Sequence, residues 1–227
     1  MKKFFLITLT SLCFVVISCK KDQVQNFIGA EFGASSITVN GDLRVYTEGG
    51  QAVIDPNTIQ NFTTGNQPML RLDQNINANE RVKFVSSDSV YFIGANGAVD
   101  QKYAYKLEGT KILFYQTHIQ ISGQVDSYIE NLYQSIVKYQ PLVSATQGSP
   151  SGFYYRTVTN ISVGDLTAQQ LKIYRFAFKY TTTYNDGSWR ANGAILMNQF
   201  NTQFVKTLTS QNMLAIQDYV LNFKRVK

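Results

Sequence analysis

The sequence predicts a mainly β protein, an antiparallel meander that forms a barrel or a sandwich. Three observations predict it: apolar residues alternate with polar ones in several short runs, turn residues separate these runs, and only two segments show helical periodicity. About ten strand candidates follow one another closely, so hairpins should join most of them. The 227-residue chain is long enough to bury a core in one domain.

The clearest strands lie in the middle of the chain. Val82 and Phe84 share a face in one run, and Tyr103, Tyr105 and Leu107 share a face in another. This period of two is typical of a half-buried strand. A Glu-Gly-Thr turn at 108–110 then precedes a strand at 112–121.

The longest predicted strand spans 171–184 and carries aromatic residues on one face. An Asp-Gly turn at 186–187 follows it, which is a strong hairpin signal. The aromatic face is a candidate lining for a ligand cavity or a platform for sugar rings, and ordinary core packing is the alternative. Its residues are Tyr174, Phe176, Phe178 and Tyr180.

Two helices interrupt the strands. Asp55–Phe62 has an N-cap residue, a proline in its first turn and Gly65 beyond its end, which predicts a short helix. A longer helix is predicted near 124–139, where apolar residues recur at helical spacing and Pro141 follows. The stretch 145–152, rich in Ser, Gly and Pro, is predicted to be a loop. A last strand is predicted at 214–226.

The N-terminus has the features of a secretory signal peptide. Two lysines follow Met1, an apolar run extends from Phe4 to Ile17, and the small residue Ser18 precedes Cys19. The run is shorter than the ~20 apolar residues that span a bilayer as a helix. We therefore expect residues 1–18 to be removed.

Val16-Ile17-Ser18-Cys19 resembles the lipobox of bacterial lipoproteins, and Cys-Lys-Lys-Asp after the cleavage site resembles lipoproteins of Bacteroidota. The resemblance implies cleavage before Cys19, a lipid on its thiol, and anchoring in the outer membrane. Whether the protein faces the periplasm or the exterior stays open. We expect a lipidated tether at 19–26 and a single β-rich domain at 27–227.

Three further stretches resemble uncharacterised Bacteroidota lipoproteins with a lipocalin-like barrel. They are Arg44–Thr47, Leu214–Gln217 and Asn222–Arg225. The resemblance implies a small apolar or amphipathic ligand in the barrel and carries no catalytic residue into this chain.

Asp88-Ser89-Val90 resembles the tripeptide that Bacteroidota O-glycosylate on exported proteins. Ser89 is therefore a candidate glycosylation site. A hairpin turn explains Ser87-Asp88 equally well.

Residues with catalytic or metal-binding chemistry are scarce. The single histidine, His118, shares the more polar face of its strand with Gln116 and Gln120, so we interpret it as a surface or lumen residue without catalytic duty. We expect no metal site, cofactor or identifiable catalytic residue. Loss of two N-terminal lysines lowers the net charge from +6 to +4, and the scattered basic residues argue against nucleic acid as a partner.

Three functional hypotheses remain. The first, which we prefer, is a lipid-anchored, non-enzymatic binding or structural module of the cell envelope. The second is a surface glycan-binding lipoprotein, for which exposed aromatic residues would be the sign. The third is an enzyme with a carboxylate mechanism, for which two carboxylates would converge in a cleft. The oligomeric state stays open.

Overall fold

The computed structural model describes residues 27–57, 77–122, 127–148 and 154–227. Within these ranges the chain forms twelve strands, the helix α1 (Ser127–Ile136) and a 3-10 helix (Thr202–Thr207). The strands are β1 (Glu31–Val39), β2 (Arg44–Thr47), β3 (Gly50–Ala52), β4 (Arg81–Phe84), β5 (Ser89–Ile93), β6 (Val99–Glu108), β7 (Lys111–Ser122), β8 (Leu142–Gly148), β9 (Tyr154–Leu166), β10 (Gln170–Thr183), β11 (Trp189–Leu196) and β12 (Asn212–Arg225).

Eight of these strands close an antiparallel barrel. β1, β4, β5, β6, β7, β9, β10 and β12 pair in this order around the ring, and β12 returns to β1. Because the ring follows the chain order, it is an up-and-down barrel of lipocalin-like type. The predicted meander is confirmed, and of its two predicted forms the barrel is the one observed.

Three long strands continue beyond the ring. β10 pairs with β9 only over Leu171–Tyr174, and its second half pairs with β11 instead. The first half of β9 pairs with β8, and the first half of β12 pairs with β2. Beyond Tyr174, β10 no longer pairs with β9 but with β11. The wall of the barrel is therefore split between β9 and β11.

One end of the barrel, here called the filled end, is packed with aromatic side chains. The ring of Phe84 lies 5.0 Å from Tyr105 and 5.8 Å from Phe32, centroid to centroid. Burial of each such side chain contributes about 1.5–3 kcal/mol to folding. Phe27 belongs to the same cluster, so the first described residue lies at this end.

The helices cover the outer face of β10 and β12. α1 buries Leu132 and Ile136 against this face, four residues apart on one side of the helix. The 3-10 helix is capped by Asn201, whose side-chain nitrogen also donates to the Ser135 carbonyl at 3.0 Å. A second core therefore lies outside the barrel, beneath the two helices.

The predicted longer helix and both predicted turns are present, and part of a predicted loop forms a strand. The longer helix is confirmed at Ser127–Ile136. Both predicted turns are present, with the left-handed conformation at Gly109 (φ +65°) and Gly187 (φ +80°). The predicted loop at 145–152 is wrong over 145–148, because Leu142–Gly148 forms β8 and pairs with β9.

Other predictions concern residues that the structure does not describe. The signal peptide 1–18, Cys19 and the tether 19–26 lie outside the described residues. The predicted short helix lies mainly outside them as well. Its first residue, Asp55, accepts a hydrogen bond from the Asn57 backbone N–H at 2.8 Å, as an N-cap residue does.

Candidate ligand cavity in the barrel

A cavity of about 560 Å³ lies where the wall is split. Side chains of β6, β7, β9, β11 and α1 border it, together with residues just after α1 and β11. Its volume is within the usual range for small-molecule sites. Its polar lining includes Gln116, His118, Gln120, Asn160, Ser162 and Asn198.

Along β7, the inward-facing side chains change from apolar in the filled end to polar at the cavity. Ile112 and Phe114 point inward and are completely buried in the filled end. The next inward positions are Gln116, His118 and Gln120, because side chains alternate between the two faces of a strand. His118 is exposed, so the cavity reaches solvent at this point.

β9 presents the matching side chains on the neighbouring strand. Asn160 is directly opposite Gln116 in the ladder, and Ser162 is opposite Phe114. Opposite residues of an antiparallel pair have Cβ atoms about 4.5–5.5 Å apart. Two amides therefore lie side by side on the cavity wall, with the Ser162 hydroxyl one layer nearer the filled end.

Four polar side chains of the lining form no hydrogen bond with the described part of the chain. They belong to Gln116, His118, Asn160 and Ser162. Polar groups inside proteins normally have a partner, either in the protein or in bound water. Ser162 is buried (9% exposed) and Gln116 is half-buried, whereas His118 and Asn160 are exposed to solvent, and all four can form hydrogen bonds to a molecule in the cavity.

Two further polar groups are held by neighbours. Arg156 Nε donates to Gln120 Oε1 at 3.0 Å, which leaves the amide nitrogen of Gln120 as a donor. The Tyr103 hydroxyl donates to the Gln101 side chain. Burial raises the pKa of Tyr103 to about 12, so the phenol stays protonated at neutral pH.

Asn198 fastens the split wall. Its Nδ2 donates to the Ile161 carbonyl at 2.7 Å and to the Tyr139 carbonyl at 2.8 Å. Its Oδ1 accepts from the backbone N–H of Gln199 at 2.7 Å and of Tyr139 at 3.3 Å. The amide is thereby fully used in joining β9, the segment after α1 and the end of β11.

The opposite side of the cavity is apolar. Ile195 of β11 and Val137 after α1 border it, and Tyr133 and Leu196 add further carbon surface. Ile195 is paired with Ala177 of β10, so it faces the same side as the barrel interior. The cavity thus has one wall of hydrogen-bonding groups and one wall of hydrocarbon.

A half-buried arginine lies next to the split. Arg175 follows the last β9–β10 pair, and its cross-strand partner on β12 is Tyr219. Burial lowers the pKa of the Arg175 guanidinium, whereas the nearby Tyr219 hydroxyl and Glu80 carboxylate act in the opposite direction. Burial also raises the pKa of Tyr219. Arg175 is not among the residues that line the cavity.

The lining contains no Asp, Glu, Lys or Arg side chain among the described residues. Over the same ranges, no group of three or more His, Cys, Asp or Glu side chains could hold a metal ion. No helix in this part of the chain combines the length and the apolar character needed to cross a membrane.

The aromatic face predicted as a ligand lining lies elsewhere. Phe176 and Phe178 are completely buried under α1 and the 3-10 helix, on the outer face of the wall. This face does not line the lumen, because β10 turns Leu171 and Ile173 inward instead. The alternative of ordinary core packing therefore describes these two phenylalanines.

The other two aromatics of that face have different surroundings. Tyr180 packs against Phe204 at 6.0 Å and borders a smaller cavity of about 400 Å³ beside α1. Tyr174 is half-buried, and its hydroxyl donates to Asp165. Neither residue reaches the larger cavity.

Ser89 lies at the start of β5, after the turn from β4. Its hydroxyl donates to Asp88 Oδ1 at 3.0 Å, and that of Ser86 donates to the same oxygen at 2.6 Å. These hydrogen bonds lower the pKa of the Asp88 carboxyl. The turn that the sequence suggested is present, and glycosylation of Ser89 stays a prediction.

The sequence indicated half of this cavity. The polar face of Gln116, His118 and Gln120 was recognised on β7, although its position inside the barrel was one of two alternatives. The β9 residues Asn160 and Ser162 were missed. Their signal is a period of two, since both alternate with apolar or small residues on a strand that the sequence did not reveal.

Comparisons with known proteins do not place the chain in a family. No family model matches it, and neither a curated protein nor a solved structure is found to be similar to it.

Proposed function

We propose that this chain is a lipid-anchored protein of the cell envelope that binds a small uncharged molecule in its barrel without transforming it. The observation that carries the proposal is the cavity at the split wall, with four polar side chains that have no partner in the described chain. A barrel that served only as a packed scaffold would fill this space with side chains.

The anchor in this proposal is a lipid on Cys19. Residues 19–26 reach at most about 28 Å when fully extended, so Phe27 and the filled end would be held close to the membrane. His118 lies six positions beyond Ile112 along β7, which is roughly 20 Å farther along the strand. The cavity would therefore accept its ligand from the aqueous side.

The lipid anchor is tested in cells. Replacement of Cys19 by alanine should abolish incorporation of radioactive palmitate and release the protein from the membrane fraction. Two or three acyl chains anchor durably, at about 0.8 kcal/mol per buried CH₂, where one chain does not. A variant that still incorporates label would disprove the assignment of Cys19.

Binding is tested on the processed protein in lipid nanodiscs. A panel of apolar, amphipathic and carbohydrate compounds is screened by thermal shift, since a ligand at 100 times its dissociation constant stabilises the folded state by about 2.7 kcal/mol. Asn160→Trp places an indole in the cavity and should abolish this stabilisation. Thr157→Trp, on the opposite face of β9, is the matched control and should retain it.

Two results would contradict the proposal. If Asn160→Trp and the control are stabilised equally by the same compound, the cavity is not the binding site. If a compound is consumed at a rate that depends on one carboxylate, the protein is an enzyme. The cavity itself gives the enzyme hypothesis no support, because no carboxylate is found in the described lining.

A further inference from the structure

The cavity wall distinguishes between classes of uncharged ligand. A ligand that is mainly an acyl chain needs a continuous apolar channel. Here the barrel axis is blocked at the filled end, where Phe84 and Phe114 are completely buried. The remaining space is bordered on β7 and β9 by amide, imidazole and hydroxyl groups.

An acyl chain in this space would cover these polar groups without replacing their hydrogen bonds. Each polar group that is buried without a partner costs about 1–3 kcal/mol. Gln116, Asn160 and Ser162 would all be affected, since none has a partner in the described chain. These polar groups therefore disfavour binding of the apolar ligand that the resemblance to lipocalin-like barrels implies.

Resting on the proposed function, we infer that the occupant is an uncharged, hydroxyl-rich molecule of the size of a mono- or disaccharide. A side-chain amide offers two donors and an acceptor, and a sugar hydroxyl is both donor and acceptor, so the paired amides of Gln116 and Asn160 match vicinal hydroxyls. The Ser162 hydroxyl and the Gln120 amide nitrogen extend the same wall.

The opposite wall suits the other face of such a molecule. A pyranose ring presents C–H groups on its faces, and the cavity offers apolar surface for them at Ile195, on the lumen side of β11, and at Leu196 and Tyr133, which border it from the outer face at the split. The described lining contains no Lys, Arg, Asp or Glu, and Arg156, which contacts the lining, is held by Gln120, so a charged sugar would meet no counter-charge on the lining itself. Arg175 lies nearby but does not line the cavity, and Glu80 opposes its charge.

The inference is tested by calorimetric titration of the processed protein in nanodiscs. The probes are an array of uncharged mono- and disaccharides, the corresponding uronic acids, and laurate as the acyl chain. We expect saturable binding of at least one uncharged sugar and none of laurate. Gln116→Leu and Asn160→Leu should each weaken sugar binding at least tenfold, as sites that recognise hydroxyl groups depend strongly on each partner. Gln51→Leu, an exposed amide of β3, should leave it unchanged.

The outcomes separate this inference from the function on which it rests. If laurate binds, Asn160→Trp abolishes laurate binding, and no sugar binds, then the inferred ligand class is wrong and the binding function stands. If a uronic acid binds more tightly than its uncharged counterpart, the inference of an uncharged ligand is wrong. If no probe binds and the general screen is also negative, both proposals fail.

Discussion

Replacement of Asn198 by alanine should destabilise the protein by about 3 kcal/mol. The side chain is 6% exposed and forms four hydrogen bonds to backbone groups, at 2.7, 2.7, 2.8 and 3.3 Å. Each such bond contributes about 1 kcal/mol net. In the variant the carbonyls of Ile161 and Tyr139 would also lose their donor, and leaving them buried without a partner adds a desolvation cost unless water enters. For a chain of this size the loss corresponds to a decrease in Tm of roughly 6–12 °C.

Urea unfolding followed by far-ultraviolet circular dichroism measures this change. Asn192→Ala is the matched control, because Asn192 is a half-buried residue of β11 whose side chain forms no hydrogen bond with the described chain. Its substitution should cost less than about 1 kcal/mol. Equal losses in the two variants would show that Asn198 does not fasten the split wall.

Three further changes test the barrel. Gly164→Ala should prevent stable folding, because a Cβ at this position would clash with the Lys172 backbone carbonyl. Gly109→Ala is the control: its Cβ has free space, so thermal unfolding should show a loss of only the ~1 kcal/mol that a left-handed backbone conformation costs. Phe114→Ala should reduce the free energy of unfolding in urea by about 3–5 kcal/mol, and a loss below 1 kcal/mol would contradict the packed filled end. The pKa of Tyr103 is raised from 10.0 to about 12 in the folded state, so the protonated Tyr103 side chain contributes fully to stability below pH 10, and this contribution is lost as the pH rises to 12. The free energy of unfolding of Tyr103→Phe should therefore decrease less between pH 10 and 12 than that of the unchanged protein.

The sequence predicted the barrel because its walls are half-buried. In β6, Tyr103 and Tyr105 point into the filled end while Lys102, Ala104 and Lys106 are exposed, which produces a clear period of two. The same signal failed to show which face of β10 lines the lumen. Both faces of that strand are buried, Leu171 and Ile173 in the barrel and Phe176 and Phe178 under the helices, so the larger aromatic residues dominated the pattern.

The candidate site could be predicted only in part because it depends on pairing between distant strands. Gln116 and Asn160 meet through a ladder that joins residues 44 positions apart, and no local pattern encodes that register. No sequence pattern singles out Asn198 either. Its role arises from the end of the β9–β10 ladder at Val163–Tyr174, which leaves the wall to be joined by a side chain.

If the polar wall of the lumen binds a ligand, the side-chain amide signals of Gln116 and Asn160 in a ¹H–¹⁵N correlation spectrum will report the contact. Addition of a compound that stabilises the protein should shift both signals in a saturable manner and leave the exposed amide of Gln51 in place. Saturable binding that leaves the signals of Gln116 and Asn160 unchanged would contradict the claim, because the ligand would then be bound outside the cavity.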